Sequence, residues 1–144
     1  MKKLKVLING AIIKDGKLLL AKRIDINKWE LPGGKVEDGE QPKDTIVREL
    51  EEELKLKGSI KNILDSYSSF FDWNGDSHLV VHVTYLIEPN SDAVLDKELH
   101  SELAWFSKGQ IAKLLSSKRD ILENEYAFGL EHIFKTLLDG GLLK

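Results

Sequence analysis

Apolar positions recur along the chain with two different periods, and the changes of period mark out the elements. From about Lys5 to Ile13 the chain is apolar and rich in β-branched residues, and Asp15-Gly16 follows as a hairpin turn. Lys17 to Arg23 returns as a second strand, and its run of apolar residues predicts burial on both faces. The loop Ile24 to Lys28 leads into Trp29-Glu30-Leu31-Pro32, which delivers the chain to a turn at Gly33-Gly34. After Gln41 the period becomes helical. Gln41 is a candidate N-cap, and Pro42 suits the first helical position, where its missing N–H costs nothing. Ile46, Val47, Leu50 and Leu54 then fall on one arc and are expected to face a core.

Beyond this helix, Ser59 to Phe71 suits a strand, Trp73-Asn74-Gly75-Asp76 a hairpin turn, and Leu79 to Ile87 a strong strand. Pro89 to Glu98 is polar and expected to be a loop. Leu103 to Phe106 predicts a short last strand and Gly109 to Leu115 a short helix. Asp120 to Leu138 carries Ile121, Leu122, Tyr126, Leu130, Ile133, Phe134 and Leu137 at helical spacing, stopped by Gly140-Gly141. The order is hairpin, helix, hairpin, strand, helix. It predicts the α/β class, with a mixed sheet between helices and one domain spanning residues 1–144.

Composition narrows the classes of function. Hydrophobic content of 42% and charged content of 31% are those of an ordinary globular protein. The absence of cysteine excludes a disulfide framework, a thiolate zinc site and a cysteine nucleophile. A net charge of −3 argues against duplex nucleic acid as the main partner, because that affinity rests on neutralising phosphates. The basic start MKKLKVLINGAIIK has a short apolar run broken by Asn9-Gly10 and reads as a strand, so neither a membrane partner nor a leader is expected. The cytoplasm is the default location, and monomer and homodimer both remain open.

The helix after Pro42 carries a second pattern. Glu49, Glu52 and Glu53 lie beside its apolar arc, since spacings of three and four share a face. Most glutamate-rich helical faces are simply solvated. Three carboxylates on one rigid helix beside a glycine turn also suit a hard divalent cation, Mg²⁺ or in its place Mn²⁺, which prefers oxygen ligands. The four histidines, His78, His82, His100 and His132, show no HxxxH or HExxH spacing, so a zinc site fits poorly.

The wider spacing shifts the balance between these alternatives. Gly34, five residues, Glu40, seven residues and then Arg48-Glu49-Leu50-x-Glu52-Glu53 fix six positions besides the aliphatic Leu50. A chance match is on the order of one in ten million per window. This stretch resembles the Nudix box, Gx5Ex7REUxEExGU with U aliphatic, of the Nudix hydrolase (MutT-like) family. One position departs: Lys55 stands where the motif has its late glycine, with the aliphatic kept as Leu56. The expectation is that the helix runs on through Lys55 and that Gly58 ends it one turn later.

The resemblance implies an α/β/α sandwich and a Mg²⁺-dependent pyrophosphohydrolase. Its substrate would be a nucleoside triphosphate or a related nucleoside diphosphate linked to a group X, released as nucleoside monophosphate and pyrophosphate. ADP-ribose, a dinucleoside polyphosphate and capped RNA are the alternative substrates, and a silent nucleotide-binding domain is the alternative of another class. Glu52 and Glu53 would hold the metal, Glu49 would bind or deprotonate a metal-bound water, and the Gly33 carbonyl would complete the coordination. Arg48 would orient the carboxylates and Glu40 would brace the loop. Arg23, or its neighbour Lys22, and Lys35 would face phosphate. A further glutamate is implied before the last strand, Glu98 ahead of Glu102. Asn124 resembles the asparagine that reads the purine.

Overall fold

Asp15 and Gly16, both at positive φ (52° and 75°), turn the first strand back on itself. In the computed structural model, which describes residues 2–121 and 128–144, that hairpin is formed by β1 (Lys2–Lys14) and β2 (Lys17–Arg23). Two short strands follow, β3 (Trp29–Glu30) and β4 (Gly33–Lys35), and then helix α1 (Pro42–Leu54). The long hairpin β5 (Gly58–Trp73) and β6 (Asp76–Pro89) leads through a loop to β7 (His100–Phe106), α2 (Lys108–Ser117) and α3 (Phe128–Asp139).

β1 is the strand on which the architecture turns. It pairs antiparallel with β2 near its end, antiparallel with β4 in its middle, and parallel with β6 over eleven positions from Lys2–Ser77 to Ile12–Ile87. β5 closes one edge beside β6, and β2 carries β3 and β7 on its two sides. Helices cover both faces of this mixed sheet. Ile46, Leu50 and Leu54 of α1 pack on Ile8, Ile12 and Ile87, while Ile111 of α2 and Phe134 and Leu137 of α3 pack on Ala11, Leu18 and Leu20. Leu18 and Leu20 face one layer and Leu19 the other, so β2 is buried on both faces. The arrangement is the expected α/β/α sandwich. Among the described residues no helix is long and apolar enough to cross a membrane.

Three local expectations are corrected. Val47 is 57% exposed, and Thr45 on the other side of Ile46 is fully buried instead. The Thr45 hydroxyl donates to Glu40 at 3.0 Å, and that contact turns this side of the helix inward. The stretch Gly33–Lys35 is a strand rather than a plain turn, because Gly33, Gly34 and Lys35 pair with Asn9, Ile8 and Leu7 of β1. The last helix does not begin at Asp120. There the Trp29 N–H donates to the Asp120 carbonyl at 2.8 Å, and buried Ile121 forms a parallel bridge with Trp29. Asn124 lies outside the described residues.

The end of α1 is the fourth correction. Lys55 sits in the left-handed region (φ 50°, ψ 31°), so the helix stops at Leu54 and does not run on to Gly58. The Leu56 N–H donates back to the Leu50 carbonyl at 3.1 Å, the closure that turns a following apolar residue inward. Leu56 is buried in the α1 core. Gly58 is needed for room instead: a Cβ there would lie 2.6 Å from Ile87 Cγ2. Since left-handed backbone costs a residue with a Cβ about 1 kcal/mol, Lys55→Gly is expected to stabilise the protein by up to about 1 kcal/mol. A denaturation midpoint that fell in this variant would overturn the assignment of the cap.

Candidate functional site

The helical geometry of α1 ranks its acidic residues by depth. At about 100° per residue, Glu53 falls roughly 20° from Ile46, Glu49 roughly 60° and Glu52 roughly 120°. Glu53 is thus drawn in beside the core stripe and Glu52 is left at the rim. Burial, followed by repulsion from Glu49, raises the Glu53 carboxyl to about 8. Glu49 is also raised, mainly by desolvation, and the two carboxyls lie within hydrogen-bonding reach of each other. The Gly33 N–H donates to Glu53 Oε2 at 3.1 Å, tying β4 to the helix. Gly34 leaves the space Glu49 uses, since a Cβ there would stand 2.2 Å from Glu49 Oε1.

Arg48 binds this cluster into a frame. Its Nε and Nη2 grip both oxygens of Glu40 at 2.7 and 3.0 Å, a two-point contact suited to the planar guanidinium. Nη1 donates to Glu49 at 2.9 Å and to Glu52 at 3.3 Å, and Nη2 also reaches the Lys35 carbonyl at 3.2 Å. Glu40 accepts the Glu37 N–H as well, at 3.0 Å. The Arg48 bonds, with that backbone donor, hold the Glu40 carboxyl down at about 2.

Glu53, Gly33 and Gly34 line a cavity of about 540 Å³ together with Arg23, Glu30 and Glu98. Of the two glutamates near the last strand, Glu98 is on the wall, while Glu102 faces Lys22 across the β2–β7 ladder. Lys22 lies over the Trp29 ring, 5.5 Å from its centroid. Lys35 is exposed and is not part of the lining. Arg23 is at the cavity, but Asp25 holds two of its nitrogens, Nε at 2.9 Å and Nη2 at 2.6 Å. His78 and His82 are buried on the β5–β6 hairpin, with His82 stacked on Tyr67 at 4.5 Å between centroids.

The spacing of the box on α1 and its juxtaposition with Gly33 and Gly34 meet the family comparison directly: the NUDIX domain family model matches residues 5–124. The chain belongs to the Nudix family. The "CTP pyrophosphohydrolase" of Escherichia coli (strain K12) is 30% identical over 118 residues, 79% of this chain and 84% of that protein. The "ADP-ribose pyrophosphatase" of Methanocaldococcus jannaschii is 31% identical over 123 residues, 83% of this chain and 71% of that protein. Among solved structures, the MutT NUDIX hydrolase from Burkholderia pseudomallei superposes with a TM-score of 0.67 at 27% identity, covering 95% of this chain and 97% of that one.

Within this Nudix fold the structure brings Glu53, Gly33, Glu98 and Arg23 to the wall of one cavity, whereas Glu49, beside Glu53, and Glu52, held by Arg48, are not among its lining residues. Among the described residues no three acidic or histidine side chains are drawn close enough to hold a metal by themselves. Three titratable residues of the described lining were missed in the sequence. Asp25 lies in the expected Ile24 to Lys28 loop and Glu30 in the lead-in to the glycines, where neither was singled out, and His100 was set aside for lacking a metal-ligand spacing. The one available signal was position: Glu30 stands between Trp29 and the Leu31-Pro32 lead-in to the glycines.

Proposed function

We propose that this Nudix protein is a Mg²⁺-dependent pyrophosphohydrolase that cleaves a nucleoside triphosphate, or a related nucleoside diphosphate-X, to nucleoside monophosphate and pyrophosphate. Hydrolysis of a phosphoanhydride comes with family membership; the metal and the substrate are the finer part of the proposal. The observation that carries it is the desolvated Glu49–Glu53 pair, of which Glu53 lines the cavity. Two carboxyls pushed above their ordinary range, chiefly by burial and then by a neighbouring glutamate (Glu49 for Glu53, Glu52 for Glu49), are a donor set that a hard cation would relieve. Glu53 and Glu52, with Glu49, Glu98 and the Gly33 carbonyl, would hold it, and Mn²⁺ would be accepted in place of Mg²⁺. When bound, the cation supplies charge neutralisation on the phosphoryl oxygens and acidifies water.

The protein's own groups do the rest. Glu49 accepts the proton of the attacking water, whose oxygen bonds to phosphorus as the anhydride oxygen departs with the pyrophosphate. Arg48 keeps Glu49 and Glu52 aimed, since its Nη1 serves both. Arg23 turns to a phosphate group at the cavity mouth, and Lys35 adds positive charge near the glycines. Relatives of nearly equal identity are named for CTP and for ADP-ribose, so overall likeness does not select X, and Asn124 stays a proposal for the base. A panel of nucleoside triphosphates, ADP-ribose, dinucleoside polyphosphates and capped RNA, incubated with Mg²⁺ and resolved by chromatography, tests the proposal. Metal-dependent monophosphate and pyrophosphate from at least one triphosphate is expected. Turnover of ADP-ribose alone would reassign X, and no turnover with Mg²⁺ or Mn²⁺ would leave a domain that only binds nucleotides.

A further inference from the structure

Arg23, Glu30 and His100 meet from three adjacent strands. Glu30 lies opposite Ala21 in the β2–β3 ladder, and His100 lies opposite Arg23 in the β2–β7 ladder. Ala21 and Arg23 are two apart on β2, so one strand face collects all of these side chains. The β2–β7 register shifts between Lys22 and Arg23, where Ser101 is the extra residue. A bulge of this kind re-aims a side chain beside a site.

The Glu30 carboxylate is shared between two partners. Its Oε1 meets His100 Nε2 at 3.3 Å, and its Oε2 faces Arg23 Nη1 at 3.8 Å. His100 is buried, and its Nδ1 meets no partner among the described residues. A buried imidazole with one satisfied nitrogen calls for a reason, and here the contact it does make is with Glu30. On the other side of Arg23 the pair with Asp25 is exposed, and exposed ion pairs hold weakly. An incoming phosphate can displace Asp25 from Nε and Nη2. It meets a guanidinium whose remaining nitrogen still faces the half-buried Glu30.

We propose that His100 is a positioning residue for substrate binding: it fixes the Glu30 carboxylate, and through Glu30 it aims Arg23 at a phosphate group of the nucleotide. The proposal rests on the assignment of Arg23 to substrate made above. It gives His100 no contact with the reacting atoms.

The test measures binding of an α,β-methylene nucleoside triphosphate by calorimetry, together with steady-state kinetics on the best substrate of the panel. The proteins are wild type, His100→Leu, His100→Gln, Arg23→Ala and the double variant His100→Leu/Arg23→Ala. Losing a hydrogen bond to a charged group weakens binding by about tenfold. His100→Leu should therefore raise Kd and KM by roughly five- to tenfold while kcat stays within about twofold. His100→Gln, which can still donate to Glu30, should recover most of that loss; a residue that merely filled space would be served better by leucine. In the double variant the two losses should overlap rather than multiply, because both act through one guanidinium. Unchanged Kd in His100→Leu while Arg23→Ala weakens binding would overturn the role of His100 alone. Unchanged Kd in Arg23→Ala would remove Arg23 from the site, and this proposal with it. Multiplying losses, a fall in kcat without a change in KM, or a glutamine no better than leucine would each count against positioning through Glu30.

Discussion

Glu53→Gln is expected to lower turnover by about 100-fold or more while making the metal-free protein more stable at pH 8. The first effect follows if Glu53 is part of the metal and water machinery, where removing one such group typically costs 10²–10⁴. The second follows from its burial. Its folded-state value of about 8 lies above the ordinary 4.5, so the folded protein holds a proton that the unfolded chain releases between those limits. The resulting stability is complete below about pH 4.5, declines as pH rises, and is lost above about 8. Glutamine keeps the shape, does not ionise, and should flatten that slope, a difference on the order of 3 kcal/mol between pH 5 and pH 8. Denaturant unfolding in the presence of a chelator measures it. Near-wild-type activity at limiting Mg²⁺ would take Glu53 out of the site, and identical pH slopes would mean that its carboxyl is not desolvated.

Arg48→Ala should cost both activity and stability, and Arg48→Lys should recover little of either. The guanidinium joins the Glu37–Glu40 loop, the Lys35 carbonyl, and the Glu49 and Glu52 side chains through five hydrogen bonds. An ammonium is a compact charge without that planar fork and cannot span these partners at once. A stability loss of about 2 kcal/mol is expected, the scale of a few partly exposed charge-assisted bonds. The acid side gives a separate signature. Glu40, held at about 2, contributes stability that is present above its ordinary 4.5 and is lost as pH falls toward 2. Wild type should therefore resist acid across that window better than Arg48→Ala, which a series of melting temperatures from pH 2 to 6 would show. Parallel curves would mean that the Arg48–Glu40 pair contributes nothing to folding.

Local signals were read from the sequence well, and long-range convergence was not. The helix with its Gln41-Pro42 start, the hairpin at Asp15-Gly16 and the two-faced burial of β2 each depend on residues close together in the chain. The end of α1 was misjudged because a lysine was denied the left-handed region; the burial of Leu56 outweighs that local preference. Val47 was misjudged because four apolar positions span a wider arc than the core accepts, and only the Thr45–Glu40 contact shows which edge turns inward. β3 and β4, at two and three residues, carry no periodicity of their own and exist only because β2 and β1 pair with them. The outer members of the Arg23–Glu30–His100 group stand 77 residues apart, and no spacing rule connects them.

The parallel partnership of β1 with β6 bears on how the protein is made. Strands that pair eleven deep stand about 75 residues apart in the chain, so the central ladder closes a loop of about half its length. Contacts of that separation repay their entropy late and slow the search for the native state. During synthesis at roughly 5–20 residues per second, the N-terminal hairpin waits several seconds before β6 leaves the ribosome. Through that interval Ile8 and Ile12 lack β6, the parallel strand that flanks them in the finished sheet, although β4 and α1 are already made. The carboxylates of α1 and the glycines of β4 are made early, yet the platform that brings them together is finished only when β6 slots in beside β1. The cavity itself closes later still, because Glu98, Leu99, His100 and Leu130 of its lining follow β6 in the chain.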